Sequence, residues 1–401
     1  MPNLSNLPLA GIRVLEFSHA VMGPSAGMIL ADLGATVTKI EPVPDGDRTR
    51  HLKGVGISFF PLFCRNKQSL AIDLKAPGSR PAVEALVRCS DVLLENFALE
   101  TMGRLGLGFD TLIDINPGLV YLQLKGFLSG PYEERRALDE IVQMMSGLAY
   151  MTGPPGQPLR AGASIVDIMG GMAGVIGVLA ALRERDINGK GQLVKAALFE
   201  TAAFAVGQHI VQYGLNSQPL VPMSVPNRAW GIYDTFESKE GKPIFIGVVT
   251  DTQWKKFCEV FDRTDLFADE RLQGNGGRVE QRSWLVDTVA ETFKALTTAQ
   301  LLDKCDAAQL AFGPVNKPED LLTDPHLNSN GQLKEMTLPG GKRVKTPRLP
   351  IEMNGRGFTV RQDPPSIGQH SRTALATAGL KAAQIDELFA AGHIIETDPE
   401  L

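Results

Sequence analysis

The chain has 401 residues, 43% of them hydrophobic, and 40 basic against 45 acidic side chains give a formal net charge of −5. That length supports two or three domains with a sizeable core, and the charge balance speaks against a polybasic nucleic-acid or membrane surface. Four widely spaced cysteines, Cys64, Cys89, Cys258 and Cys305, form no CxxC pair and no metal-ligand cluster, so reduced thiols are expected and a disulfide scaffold or metal centre is not.

At the N-terminus no basic stretch precedes an apolar signal core, and no uninterrupted apolar run reaches the roughly 18 residues of a membrane span. A soluble, cytoplasmic protein is the expectation. Ile12–Phe17 reads as a buried parallel strand, followed by Gly23-Pro24 and a small-residue helix over Ala26–Leu33. Thr36–Ile40 is a second β-branched run, which completes a βαβ unit. Ser69–Leu74 supplies another strand, Pro81–Val87 a helix, Asp91–Glu95 a strand, and Leu119–Lys125 a further strand after the Asn116-Pro117 breaker. Strands alternating with helices predict an α/β fold, with a Rossmann-like parallel sheet covered on both faces.

The middle changes character. Ser164–Leu182 is apolar yet contains Gly170, Gly171, Gly174 and Gly177. Each glycine costs a helix interior about 1 kcal/mol, so close approach of another backbone or a ligand is expected there. Gln192–Ala196 reads as a strand and the Ala-rich stretch to about His209 as a helix. Residues 1–215 then form the first part of a large domain, and 216–230, with Pro219, Pro222 and Pro226, a linker. A smaller α/β domain is predicted over 231–328, with a strand at Ile244–Val249 and an amphipathic helix at Thr252–Phe261. Residues 329–401 are predicted as a linker, the Pro- and Gly-rich stretch Gly331–Pro350, and a C-terminal return to the large domain with a helical tail over Lys381–Ile395.

No GxGxxG follows the first strand, and GxSxG, P-loop and HExxH patterns are absent, so redox and metal chemistry are disfavoured and carboxylates become the candidates. Asp167 lies in Ala163-Ser-Ile-Val-Asp-Ile-Met-Gly-Gly-Met172, at the start of the glycine-containing helix. Its structural reading is a helix N-cap. Its chemical reading is a partly desolvated carboxylate, kept ionised by the helix dipole, that attacks a carbonyl approaching over the glycines.

Several stretches, in order along nearly the whole chain, resemble the class III CoA-transferase (CaiB/BaiF) family of formyl-CoA and carnitine CoA-transferase relatives. They include Leu9-Ala-Gly-Ile-Arg-Val-Leu-Glu-Phe17 with Gly23-Pro24, Gly34-Ala-Thr-Val-Thr-Lys-Ile-Glu-Pro42, Arg65-Asn-Lys-Gln-Ser-Leu70 and Glu95-Asn-Phe97. Arg104-Leu-Gly-Leu-Gly108, Ile115-Asn-Pro117, Gly189-Lys-Gly-Gln192, Gly313-Pro-Val-Asn316, Asp324-Pro-His326 and Gly368-Gln-His370 continue the series. The resemblance implies a large domain built from both chain ends, a small domain between them, and ring-shaped subunits in an interlocked homodimer. It implies Asp167 as nucleophile, forming an aspartyl anhydride and an aspartyl-CoA thioester, with coenzyme A or its acyl thioester as substrate and no metal or resident cofactor.

The same resemblance places CoA along His19, Ala20, Val21, Lys39, Ile72, Asn96, Phe97, Arg104, Lys125 and Asp139, with Met22 beside the reacting thioester. Each has a plainer alternative: surface charge for Arg104, Lys39 and Lys125, an Asn turn and a core ring for Asn96 and Phe97, a satisfied side chain for His19. Asp139 hydrogen-bonds the CoA arm or caps a helix. Racemases of the superfamily carry a histidine before the equivalent aspartate, where this chain has Leu138, so racemisation or epimerisation of an acyl-CoA is the lesser reading. A non-catalytic CoA-binding protein is a third. Val225-Pro-Asn-Arg-Ala-Trp-Gly231 stands where the formyl-CoA/oxalate branch has a glycine-rich loop. A tiny substrate is therefore disfavoured, and Arg228 offers a cation for the second carboxylate of an acid such as succinate, or else a domain-linking salt bridge.

Overall fold

The computed structural model describes residues 6–225 and 229–397. Two compact units divide the chain, one made of the residues up to Ser224 together with those from Asn328 onward, the other of Val225–Leu327.

In the larger unit, short runs of apolar and β-branched residues, interrupted by buried polar and charged ones, form β1 (Arg13–Phe17), β2 (Thr36–Glu41), β3 (Lys67–Ile72), β4 (Val92–Glu95), β5 (Val120–Lys125) and β6 (Gln192–Ala197). They pair in parallel in the order 3-2-1-4-5-6. Helices cover both faces of the sheet, as parallel strands need. The helices α1 (Met22–Asp32), α2 (Arg80–Arg88), α3 (Asp139–Met145), α4 (Ile165–Asn188) and α5 (Leu198–Ala205) carry the argument below. Ile29, Val37, Leu94, Leu122, Val175 and Val178 belong to the core on the α1/α4 face. Leu15, Leu70, Val87, Leu93, Tyr121 and Leu375 belong to the core on the opposite face. Strand order reverses between β1 and β4, and their carboxyl ends open the crevice where α/β sheets bind ligands.

Glycine decides how α4 sits. A Cβ on Gly171 would stand 2.2 Å from Ser25 Oγ and 2.8 Å from the Met22 carbonyl oxygen, and one on Gly170 2.6 Å from Met22 Cε. Gly174 and Gly177 make the same close approach to Leu124 and Val194, at 2.8 and 2.6 Å. By length and composition α4 is apolar enough to cross a membrane. Here its glycine face lies against α1, β5 and β6. The packing reason expected from the sequence is thus helix-on-helix and helix-on-sheet contact.

Charged side chains fill part of the interior, each paired as low dielectric requires. Glu16 on β1 takes Lys67 at 2.6 Å and Lys39 at 3.5 Å. Asp32 at the end of α1 accepts from Arg65 at 2.8 Å and from Asn66 at 2.6 Å. The Asn66 side-chain oxygen accepts from the Arg361 and Gln362 amides at 2.6 and 2.8 Å, so the C-terminal segment is tied to the sheet.

Three expectations change. The tail is the helix Ala382–Ala390, ended where Gly392 takes φ +68°, and then the strand Ile394–Ile395, which pairs antiparallel with β3. The Pro- and Gly-rich stretch folds as a hairpin of Leu333–Thr337 and Arg343–Pro347. The Ala-rich helix after β6 stops at Ala205, and a separate helix spans Gly207–Asn216.

The smaller unit has an antiparallel sheet of β7 (Ile232–Glu237), β8 (Pro243–Val248) and β9 (Ala311–Pro314). Its core includes Ile244, Ile246, Trp254, Phe257, Leu285 and Phe293, contributed by the sheet and by helices Asp251–Val260 and Arg282–Lys294. Its strands join the sheet without the parallel crossovers of the larger unit.

Gly171→Ala is expected to cost about 1–3 kcal/mol, because the backbone of α1 cannot move aside as a flexible side chain would. Gly276→Ala, in the helix Gly274–Glu280 where the added atom meets open space, should be neutral or stabilising by up to about 1 kcal/mol. Urea denaturation of the two variants checks the contrast.

Candidate active site

The loop after β1 is shaped by its neighbours. Ala20 takes φ +63°, a left-handed conformation a non-glycine residue adopts only when its surroundings hold it there. Asn96, just past β4, does so: its Oδ1 accepts from the His19 amide at 2.9 Å and its Nδ2 donates to the His19 carbonyl at 2.8 Å. The His19 imidazole stacks on Phe97 with ring centroids 5.7 Å apart. His19 is open to the crevice, yet desolvation by the atoms around it holds its pKa below the ordinary value, so the neutral ring is favoured.

Two cavities meet at this stacked pair. One, of about 460 Å³, is lined by Ile40, Pro42, Val43, Ile72, Leu74 and Leu105 among others, with Arg48 and Lys75 at its wall. Neither cation has an ion-pair partner among the described residues. The other, of about 620 Å³, contains Ala20, Met22, Asn96, Lys125, Arg135, Arg136, Leu138, Asp139 and Asp167. His19 and Phe97 line both.

Asp167 is the third residue of α4 and is half-buried. It is not the N-cap; Ser164 holds that position and makes no side-chain cap. The amides of Val166 and Asp167 donate instead to the buried Asp139 carboxylate, at 2.9 and 3.0 Å. No described residue donates a hydrogen bond to the Asp167 carboxylate itself. Burial, then the nearby Asp139 and Glu140 charges, push its pKa up to about 7, while Arg160 opposes them weakly. The expectation of a carboxylate kept ionised by the helix dipole is therefore corrected: α4 directs its first amides at a different carboxylate.

The structure brings most of the predicted residues together and redistributes others. His19, Ala20, Met22, Asn96, Phe97, Lys125, Asp139 and Asp167 share one cavity, and Ile72 lies in the adjoining one. Lys125 is held by Glu95 at 2.5 Å and by the Phe97 carbonyl at 2.7 Å, so it braces the ends of β4 and β5. Lys39 is not available to a phosphate. It is fully buried, with its ammonium on Asp47 at 2.8 Å and on the Ser18 carbonyl at 2.6 Å. Burial alone would depress its pKa, but Asp47 and Glu16 outweigh it and the lysine stays charged. Val21 is buried at the start of α1 and lines neither cavity. Arg104 is exposed, bonded to Thr101 at 3.2 Å, and lines neither cavity, although its neighbour Leu105 does. Arg228 lies outside the described residues. Arg48 and Lys75, which sequence reasoning missed, follow β2 and β3; lying beyond parallel-strand carboxyl ends is the signal that points to them.

Comparison with known proteins decides the family. The family model for CoA-transferase family III matches residues 9–371. The chain belongs to CoA-transferase family III. It is 30% identical to a succinate–glutarate CoA-transferase of Agrobacterium fabrum, over 94% of this chain and 96% of the relative. It is 31% identical to a succinyl-CoA–D-citramalate CoA-transferase of Chloroflexus aurantiacus, over 91% of this chain and 92% of that one. A CaiB/BaiF family protein of Brucella suis has a solved structure that matches with a TM-score of 0.81 at 30% identity, over 93% of this chain and 100% of that one. Membership of this family makes the chain a class III CoA-transferase, whose substrates are CoA thioesters and carboxylic acids.

Because Asp167 binds its proton more tightly folded than unfolded, it lowers stability as pH rises from about 4 to about 7. Asp167→Asn should therefore raise the Tm relative to wild type at pH 8 and much less at pH 5. Thermal denaturation at the two pH values reads the difference.

Proposed function

We propose that this enzyme moves CoA between carboxylic acids, with dicarboxylates as donor and acceptor, and that Asp167 is its covalent nucleophile. The observation that carries the reading is an unbonded carboxylate in a cavity at the sheet's reversal point, beside His19, Asn96 and Phe97. Ionised Asp167 attacks the thioester carbonyl, and the C–S bond breaks to release CoA thiolate and leave an acyl–aspartyl anhydride. The thiolate attacks the aspartyl carbonyl of that anhydride, freeing the donor acid and forming an aspartyl-CoA thioester. The acceptor carboxylate attacks this thioester and expels the thiolate, which then takes the acceptor acyl group from the second anhydride. Asp167 returns as a carboxylate. Every intermediate conserves the thioester's energy as long as water is kept out.

CoA fits with its adenine against the apolar wall of the smaller cavity, its phosphates near Arg48 and Lys75, and its thioester past His19 and Phe97 toward Asp167. Arg104 is a further phosphate contact in this reading, and Val21, with Ala20, supplies backbone along the arm. The dicarboxylate preference is supported by what the relatives are named for and by Arg135 and Arg136. Both line the Asp167 cavity and have no ion-pair partner among the described residues. Arg228 is a third candidate for the distal carboxylate. Racemisation lacks its second acid–base group, because Leu138 lines the cavity where that group would stand.

A homodimer, ring-shaped and interlocked, belongs to the same reading. It is supported by exposed apolar side chains on α4, Ile176 and Ile187, and on the following helices, Phe204, Ile210, Val211 and Leu215. The free cysteines suit a reducing, cytoplasmic setting.

A donor–acceptor matrix read by mass spectrometry of the CoA esters should show transfer among dicarboxylates such as succinate, with Asp167→Ala slower by at least about a thousandfold. Incubation with an acyl-CoA followed by hydroxylamine should modify Asp167. Full activity in Asp167→Ala would reject the mechanism. Arg136→Gln should raise KM for a dicarboxylate acceptor by roughly tenfold and leave a monocarboxylate of similar length little changed, because one charge-assisted contact is lost.

A further inference from the structure

The start of α4 presents amides that stabilise an anion; the N-cap Ser164 leaves them free, and Asp167 lies in the same first turn. They are taken. Asp139, the first residue of α3, points one carboxylate oxygen at the amides of Val166 and Asp167, at 2.9 and 3.0 Å. Its other oxygen accepts from the Nε2 of Gln143, one turn along α3. The Oε1 of Gln143 in turn accepts from the Ala161 amide at 2.9 Å, in the segment leading to α4. Asp139 is 4% exposed and Gln143 fully buried, so water does not dilute the arrangement.

We propose that Asp139 is a positioning residue: anchored on the first amides of α4, one of them that of Asp167 itself, its carboxylate is held beside the nucleophile and keeps it basic and nucleophilic. The proposal deepens the reading of Asp167 as nucleophile and rests on it. A carboxylate that accepted those amides would be a better-stabilised anion, and so a weaker attacking group. Asp139 also lays a fixed negative charge beside Asp167, which makes ionisation of the nucleophile harder; burial acts in the same direction. Glu140 on α3 is the other acid facing it. Arg160 is the opposing cation, and its guanidinium is paired with Glu140 and donates to the carbonyls of Ala161 and Ala163, both at 3.1 Å. The remaining charged groups in the cavity are Lys125, held by Glu95, with Glu133, Glu134, Arg135 and Arg136; the His19 ring is titratable but favours its neutral form.

The experiment reads the proton on Asp167 directly, in the ligand-free enzyme. A water-soluble carbodiimide with an amine labels protonated carboxyl groups, and peptide mass spectrometry follows Asp167 across pH 4.5–8.5, a span chosen to bracket its pKa of about 7. In Asp139→Asn, which keeps an acceptor oxygen and removes the charge, the labelling midpoint should fall by about one pH unit or more. Asp139→Ser gives a second reading with the same sign. The single-turnover rate of CoA release from an acyl-CoA should keep its acid limb in step with that midpoint and lose several-fold at its plateau. Circular dichroism certifies the fold of each variant. An unchanged midpoint in a folded variant overturns the proposal, and so does loss of the fold in both variants, which would make Asp139 purely structural. If the midpoint falls but no acyl-CoA releases CoA even in wild type, the tuning stands and the transferase mechanism fails.

Discussion

Everything about this site depends on two helices approaching more closely than side chains normally allow. Helix α4 can lie on α1 because Gly170 and Gly171 present only hydrogen where Met22 and Ser25 press against them. That contact brings the first turn of α4 to the carboxyl edge of the sheet, next to the loop that follows β1. Asp167 is in that turn, and Met22 begins the helix it faces. Remove the close approach and the carboxylate recedes from the crevice, whatever its chemistry.

Beneath the crevice, paired charges do the holding. Lys39 reaches from β2 to the Ser18 carbonyl and so fixes the chain just before His19, while Asp47 and Glu16 keep it ionised. Lys125 joins β5 to the end of β4 through Glu95 and Phe97. Buried charges paired with opposite charges are rigid supports, since moving either partner would expose an uncompensated ion to low dielectric. Asp167 is the contrast. It alone among these buried or half-buried acids lacks a described hydrogen-bond donor, and a group without partners is one free to react. Rigid surroundings and an unsatisfied centre are complementary parts of one arrangement.

In the proposed reading the crevice is divided by function as well as by shape. Apolar walls with Arg48 and Lys75 on one side of the His19–Phe97 stack suit a nucleotide end, and the side that holds Asp167 suits bond making and breaking. The stack stands where strand order reverses, so the topology supplies the gap and two loop residues shape it.

By itself the sequence determined the parallel sheet, since uninterrupted runs such as Val92-Leu-Leu-Glu95 suit only strands covered on both faces. It also marked Asp167 and the helix glycines as unusual, because four glycines in an apolar helix demand a close neighbour. Local patterns carry such information because backbone preference and hydrophobic period act over a few residues. Tertiary structure alone decided which groups meet. Asp139 and Asp167 lie 28 residues apart, and nothing local says that the first would cap the helix of the second. Lys39 looks like a phosphate ligand until the fold surrounds it with Glu16 and Asp47, and Arg48 and Lys75 look like surface charge until two strand ends set them beside one cavity. Partner choice among charged side chains is set by distance and dielectric in the folded chain, and neither is a property of neighbouring letters in the sequence.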